Sequence, residues 1–459
     1  MMRGRSQAHE RGGPGTRRWR RRVGAFGAAF AAAAIVLGSP AAMAQTSQTC
    51  QPQVGAEGAA PFTVWYCAGD ATGPQDAATV ARHLDQAWPV MTQPEPDGLG
   101  PPLAPEANGG RLSVYVTAPT AEVALGQCPD DCRSVGDNYG LAVPVPPFIV
   151  SSSGAERSSA ALIINKQIGV NDGTVIHEFF HALQFAHTTS GAHSWVGETA
   201  ASWAEHYYRA REEVAGRIGF LRAFQSSPGT PLFQRGDTLE YGAYVWLVWL
   251  AQRANSASPV FGMWTALEQA PTESEDAVTS LVDRYLTRLG FGFRSNFKDF
   301  VVEDLNLNLS RRVTPQLFCC GAFGDPDVPL GLSPPFVRRP WTLGARGRRA
   351  TVRLSPLSMQ YDQVRAISRS VGAVTVRSSG IRPWGDIVVL ARAATGWQRV
   401  DLQNGSVTFC RFTNRGNVRR LIVIADNHDY RRAHSGSYTV SGRPTCPSRR
   451  PVTRTPAPG

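Results

Sequence analysis

The spacing of hydrophobic positions changes twice along this 459-residue chain. In residues 77–88, Val80, Leu84 and Trp88 recur at helical spacing, and Pro89 is expected to end that helix. Residues 93–110 are rich in Pro and Gly and read as loop. Residues 112–116 alternate, which is the period of a strand. Residues 148–150 and 161–164 read as a β-pair, with residues 151–159 between them. From residue 170 to about 309 the period is mostly helical. Within it, the apolar run 244–250 is seven residues long, too short to cross a membrane, and is expected to be a core helix. Residues 45 to about 60 read as a tether anchored by Cys50. From about Val337 short alternating runs take over, at 350–354, 364–367, 374–376, 387–390, 407–412 and 421–424. Gly, Asn and Ser separate them, which is the pattern of a β-sandwich. The expected fold class is therefore α+β. A first domain (45–335) has a small N-terminal sheet and a helical C-terminal part. An all-β sandwich (336–446) follows, and a Pro-rich tail (447–459) is expected to be disordered.

The chemistry concentrates in His177-Glu178-Phe179-Phe180-His181. Two imidazoles four residues apart share one face of a helix, one turn apart. That spacing lets both reach one Zn²⁺ at about 2.0–2.1 Å. Glu178 is then placed to act on water rather than on the metal, which makes it a candidate general base. Asn171 or Asp172 is positioned to cap the helix. Val175, Ile176, Phe179, Phe180, Leu183 and Phe185 surround the histidines with apolar surface, so the helix is expected to be buried. Buried histidines need partners.

Two residues compete as third ligand. His187 has the offset of the third His in HExxHxxGxxH, but Gln184 stands where that pattern needs Gly. Residues 182–186 read as continuous helix, which turns His187 roughly 120° away from His181. Glu198 fits better. It begins a second helical segment after a short loop containing Gly191 and Gly197, and sixteen residues separate it from His181. Ser202 and Glu205 follow on the same face. Glu205 is a candidate hydrogen-bond partner for a ligating His, or else an ordinary exposed carboxylate.

With these residues the chain resembles the gluzincins, the metallopeptidase group that contains the thermolysin-like enzymes. More narrowly, it resembles secreted bacterial metallopeptidases with three marks. They are HE-aromatic-aromatic-H-A-x-Q at residues 177–184, W-x-x-E-x-x-A at Trp195 to Ala201, and Tyr241-Gly242 opening an apolar helix. The resemblance covers roughly residues 60–290. It implies zinc ligation by His177, His181 and Glu198, with Glu178 as general base in peptide hydrolysis. It implies a sheet above the zinc helix, with an edge strand able to hold an extended peptide. It also implies an oxyanion-stabilising Tyr or His beyond the second helix, for which Tyr241 is the candidate and Tyr244 the reserve. Ser202 departs from the thermolysin pattern, which has Asp four residues after the Glu ligand.

Charge and cysteines fix the expected compartment. Five Arg in residues 17–22 precede an apolar run (23–38) and the small-x-small site Ala42-Met43-Ala44, so residues 1–44 read as a signal peptide. Thr16-Arg17-Arg18 resembles a twin-arginine signal, but Arg stands where apolar residues should follow. The run is too short for a transmembrane anchor. Residues 1–44 hold eight Arg and one Glu, so removing them lowers the formal charge from +11 to +4. Arg449, Arg450 and Arg454 lie in the tail, which leaves no basic footprint for nucleic acid. All eight Cys lie in the expected mature chain, as befits disulfides in an oxidising compartment. Cys50–Cys67, Cys128–Cys132 and Cys410–Cys446 are plausible local pairs. The adjacent Cys319 and Cys320 either bridge each other or reach elsewhere. The expectation is a secreted, extracellular or periplasmic, zinc metallopeptidase acting on protein or peptide. Its C-terminal domain is free to bind a cell-surface or extracellular ligand. The competing expectation is a secreted binding or adhesion protein whose zinc site is structural or vestigial.

Overall fold

The computed structural model describes residues 50–446, apart from 58–59, 126–131, 209–213, 235–237, 271–273, 306–337, 344–346, 367–370, 395, 403–404 and 413–417. The expected leader (1–44), the tail, and Cys128, Cys319 and Cys320 lie outside the described residues; of Cys132 only the backbone is described.

The chain is α+β, in the expected order. Five strands form the first sheet: β1 (Pro52–Glu57), β2 (Phe62–Cys67), β3 (Leu112–Thr117), β6 (Gly140–Val150) and β7 (Glu156–Asn165). A two-residue ribbon, β4 (Val123–Ala124) with β5 (Cys132–Arg133), lies between β3 and β6 in sequence. The sheet order is β1-β2-β3-β7-β6. The pairs β2–β3 and β3–β7 are parallel, and both outer pairs are antiparallel. The expected tether is thus corrected: residues 52–57 are an edge strand, held to β2 by the ladder and by the Cys50–Cys67 disulfide. Period-2 alternation read in isolation missed β1 because its residues are largely exposed.

α1 (Gly73–Met91) lies on this sheet. Val80, Leu84 and Trp88 are buried as their spacing requires, with Trp88 stacked on Phe179. Pro89 does not end the helix, which runs on to Met91. Pro89 is exposed and lies in the last turn, so it removes a single i→i−4 bond and the helix runs only two residues beyond it. β7 is buried on both faces: Leu162 and Ile164 join the main core, while Ile163 meets Val123 and Val135 on the other side.

Among the described residues, eight α-helices follow: α2 (Asp172–Phe185), α3 (Ser194–Tyr207), α4 (Val214–Ser226), α5 (Leu239–Gly242), α6 (Tyr244–Ala254), α7 (Ser258–Gln269), α8 (Glu275–Arg288) and α9 (Phe293–Glu303). α2 is built from modest helix formers, Thr174, Val175, Ile176, Phe179 and Phe180, each costing up to about 0.7 kcal/mol against Ala. Burial of each large apolar side chain contributes about 1.5–3 kcal/mol, so packing wins. Asn171 caps the helix, its Oδ1 accepting from Thr174 N–H at 2.8 Å. α6 is a core helix, with Tyr244 to Ala251 all buried. No helix among the described residues is long and apolar enough to cross a membrane.

The C-terminal part has strands β8 (Arg338–Leu343), β9 (Arg348–Leu354), β10 (Ser358–Ala366), β11 (Ala373–Ser379), β12 (Ile387–Ala393), β13 (Gly396–Asp401), β14 (Ser406–Cys410), β15 (Val418–Asn427) and β16 (His434–Arg443). They form two sheets, β13-β12-β15-β10-β8 and β14-β11-β16-β9. Val364, Val389 and Val423 of the first meet Val352, Val376 and Val440 of the second in one core. The opposite face of the first sheet is buried too. Tyr361, Val388, Leu390, Ile422 and Ile424 belong to the core shared with the helices. Tyr361 donates its hydroxyl proton to the Val301 carbonyl of α9 (2.8 Å), and Arg399 pairs with Asp299 (2.6 Å). Cys410–Cys446 closes the far end.

Candidate metal centre

α2 and α3 are antiparallel neighbours across a short connection, and their contact face carries the polar residues. His177 Nε2 and His181 Nε2 lie 3.1 Å and 3.4 Å from the same oxygen of Glu198, Oε2. One donor atom from each of the three residues falls within 4.8 Å of the others. Two ligands about 2.1 Å from a tetrahedral ion stand about 3.4 Å apart, so the spacing suits a divalent metal. The outer nitrogens of both rings are also held. His177 Nδ1 meets Glu205 Oε1 at 2.8 Å, and His181 Nδ1 meets Gln184 Oε1 at 2.7 Å. Gln184 is itself anchored, donating from Nε2 to the Gly197 carbonyl at 3.1 Å. With Nδ1–H donating to a carboxylate or amide oxygen, each Nε2 lone pair faces the shared point. The donor set and its outer partners thus fit a zinc ion.

Electrostatics follow from burial. Desolvation opposes a charge on His177, but hydrogen bonds to Glu198 and Glu205 outweigh it and hold its pKa well above the ordinary value. His181 is raised by the Glu198 charge against the same desolvation. Burial would raise Glu198, yet the two imidazoles hold it far below the usual carboxylate range. Glu178 is 7% exposed, and burial pushes its pKa up against the nearby histidines. Its carboxylate accepts from the Ala142 N–H of β6. Gly140 makes that approach possible, because a Cβ there would lie 2.5 Å from Glu178 Cγ.

A cavity of about 690 Å³ opens over these groups, lined among others by Gly140, Ala142, Glu178, Glu198, Phe220 and Tyr241. Tyr241 stacks against His177 and Phe220, with centroids at 5.8 and 4.9 Å. Burial and the carboxylates of Glu198, Glu240 and Glu178 keep its hydroxyl protonated. Two contacts place it. Thr199 Oγ1 donates to the Glu240 carbonyl at 2.8 Å. Gly242 lets α5 lie against α4, since a Cβ there would lie 2.2 Å from the Phe220 carbonyl oxygen.

The structure therefore brings together His177, Glu178, His181, Glu198, Glu205 and Tyr241. Tyr244, the reserve candidate, is fully buried in the core and does not line the cavity. His187 is elsewhere: α2 ends at Phe185, and the His187 ring is held by Glu268 (2.9 Å) and the Leu99 carbonyl (3.1 Å). α3 begins at Ser194, so Gly197 is helical rather than loop and Glu198 sits in the second turn. Ser202 is buried, and the carboxylate that meets His177 is that of Glu205, three residues further on. Sequence reasoning did not assign Gln184, although its i+3 spacing from His181 was a visible signal. Gly140 and Ala142 act through backbone and left no local signal.

No family model and no curated protein matches the chain. Among solved structures, PliG, a periplasmic lysozyme inhibitor of g-type lysozyme from Aeromonas hydrophila, matches at 14% identity. The match covers 23% of this chain and 98% of that one, with a TM-score of 0.17. A likeness of that size carries no argument about the site.

Proposed function

We propose that this chain is an exported zinc-dependent metallopeptidase. The observation that carries the reading is the Glu178 carboxylate, buried beside the His177–His181–Glu198 donor set in a cavity bordered by edge strand β6. A structural metal site has no use for a neighbouring base at that place. Zinc held by the three donors would supply a Lewis acid beside the scissile carbonyl. Glu178 takes the proton of the attacking water and returns it to the leaving amine. Tyr241, kept protonated, donates a hydrogen bond to the oxyanion. The open edge of β6 takes the substrate as an added strand. The leader-like residues 1–44 and the disulfides Cys50–Cys67 and Cys410–Cys446 support export.

The test is zinc content together with peptide cleavage. His181→Ala should hold one zinc fewer than the wild type. Glu178→Gln should keep its zinc and lose turnover by about 10²–10⁴-fold. Undiminished cleavage by Glu178→Gln would sink the mechanism. Unchanged zinc in His181→Ala would remove the metal centre itself. A zinc-binding wild type that cleaves no peptide would turn the reading to a binding protein.

A further inference from the structure

A second set of donors lies outside the cavity, near α9 at the rim of the sandwich. Asp386 stands just ahead of β12, Asp426 near the end of β15, and His428 just after it. The backbone joins them: Asp426 N–H donates to the Asp386 carbonyl and His428 N–H to the Trp384 carbonyl, both at 3.2 Å. Gly385 permits this approach, because a Cβ there would lie 2.0 Å from the Asp426 carbonyl oxygen. One donor atom from each of Asp386, Asp426 and His428 falls within 4.8 Å of the others.

Two observations distinguish this group from an ordinary surface pair. Asp426 is 0% exposed, and neither carboxylate oxygen makes a well-formed hydrogen bond among the described residues, its nearest polar neighbours being the Asp386 backbone N–H and His428 Nδ1 at 3.5 Å. A carboxylate charge buried this deeply is strongly unfavourable unless a cation compensates it. His428 Nδ1 is also buried without a hydrogen-bond partner, whereas Nε2 faces the Pro383 carbonyl at 3.2 Å. Nε2 therefore carries the proton, and in the neutral ring Nδ1 turns a lone pair toward two carboxylates. Three acceptors then face one another.

Their spacing is informative. His428 Nδ1 is 3.5 Å from Asp426 Oδ1 and 3.9 Å from Asp386 Oδ2. A charge-assisted hydrogen bond would be about 2.7–2.9 Å. Two ligands around a tetrahedral ion stand about 3.4 Å apart. Neither neighbouring cation pairs with Asp426 among the described residues, although Lys298 reaches Asp386. Lys298 of α9 lies 3.6 Å from Asp401 Oδ2 and 4.0 Å from Asp386 Oδ2, and Arg399 is taken by Asp299 and Asp401. Among the described residues, Asp426 has no cationic partner besides His428.

We propose that Asp386, Asp426 and His428 bind a divalent transition-metal ion, Zn²⁺ or Mn²⁺, as a second and structural centre. Two carboxylates with an imidazole suit these ions better than Ca²⁺, whose sites are built from oxygens. The ion would fasten the turn at 381–385 to the end of β15 and compensate the Asp426 charge.

The experiment titrates chelator-stripped mature chain with Zn²⁺ and then Mn²⁺, reading ions per chain and Tm. Wild type should take two Zn²⁺. Asp386→Asn and His428→Gln should each take one, and so should His181→Ala, whereas His181→Ala combined with His428→Gln should take none. The His428→Gln chain should lose the rise in Tm that accompanies the second ion. A folded His428→Gln protein that binds as many ions as wild type overturns the proposal and leaves an ion pair of protonated His428 with two carboxylates. A wild type that binds one ion, removed by His181→Ala, overturns it equally and needs no variant of the cluster. Loss of one ion in His428→Gln but none in His181→Ala would instead sustain this centre and defeat the HExxH one.

Discussion

His177 Nδ1 and Glu205 Oε1 lie 2.8 Å apart across the α2–α3 contact, although 28 positions separate them in the chain. Both are buried, at 8% and 6% exposure. The contact fixes which nitrogen of His177 carries the proton and aims the other at Glu198. Removing it should therefore act on metal affinity. Glu205→Ala should weaken zinc binding by about 10–100-fold, measured by competition with a chromogenic chelator. Glu205→Gln, which still accepts from Nδ1–H, should lose less. Equal affinity in all three proteins would mean that Glu205 does not orient the ring.

Gly140 and Glu178 give a second prediction, because they touch where the reaction would occur. A methyl group at 140 would overlap Glu178 Cγ. Gly140→Ala should push the carboxylate away from its place, lowering kcat while leaving zinc content unchanged. A misplacement of about 1 Å can cost about 100-fold. Loss of zinc along with turnover would show that the clash reaches α2 itself.

The stripped protein should show a distinct pH dependence. The folded pKa of His177 is held well above 6.5, because Glu198 and Glu205 outweigh its desolvation. Folded chain then binds that proton more tightly than unfolded chain. The contribution is complete below about pH 6.5 and is lost as pH rises through the folded pKa. Glu198 works at the other end: its contribution is present above about pH 4.5 and is lost as pH falls. The Tm of stripped wild type should thus decline on raising the pH above about 6.5, and His177→Gln should flatten that slope. Zinc binding should release protons, seen as a buffer-dependent heat in calorimetry.

Tyr361 tests the junction between sandwich and helices. Its hydroxyl donates to the Val301 carbonyl at 2.8 Å, with the ring fully buried. Tyr361→Phe keeps the ring and orphans a buried acceptor, so it should cost about 1–3 kcal/mol. In urea the midpoint should fall with the slope unchanged if the two parts unfold together. Two separate transitions would show that they do not.

Much of this molecule is written locally. The i, i+4 histidines, the Asn171 cap and the apolar surround of α2 are all short-range patterns, and a helix realises them wherever it is packed. The strands of the sandwich are legible for the same reason, apart from β8, β13 and β16, whose alternation is interrupted by polar and small residues. The pairs Cys50–Cys67 and Cys410–Cys446 could be read because each closes a modest loop. What the sequence alone determined is thus most of the elements and the two histidines with Glu178 between them. Which residues meet them across space was decided by tertiary structure. Glu205 rather than position 202 faces His177, Gln184 holds His181, and β6 brings a bare Gly140 over Glu178. The Asp386, Asp426 and His428 donors converge only once β12 and β15 pair. The continuous apolar run 421–425 likewise means a strand buried on both faces only when α9 covers one of them. The physical reason is that period and capping depend on neighbours within one turn or one pleat. The partner of a side chain depends instead on long-range closure, which no short window of residues contains.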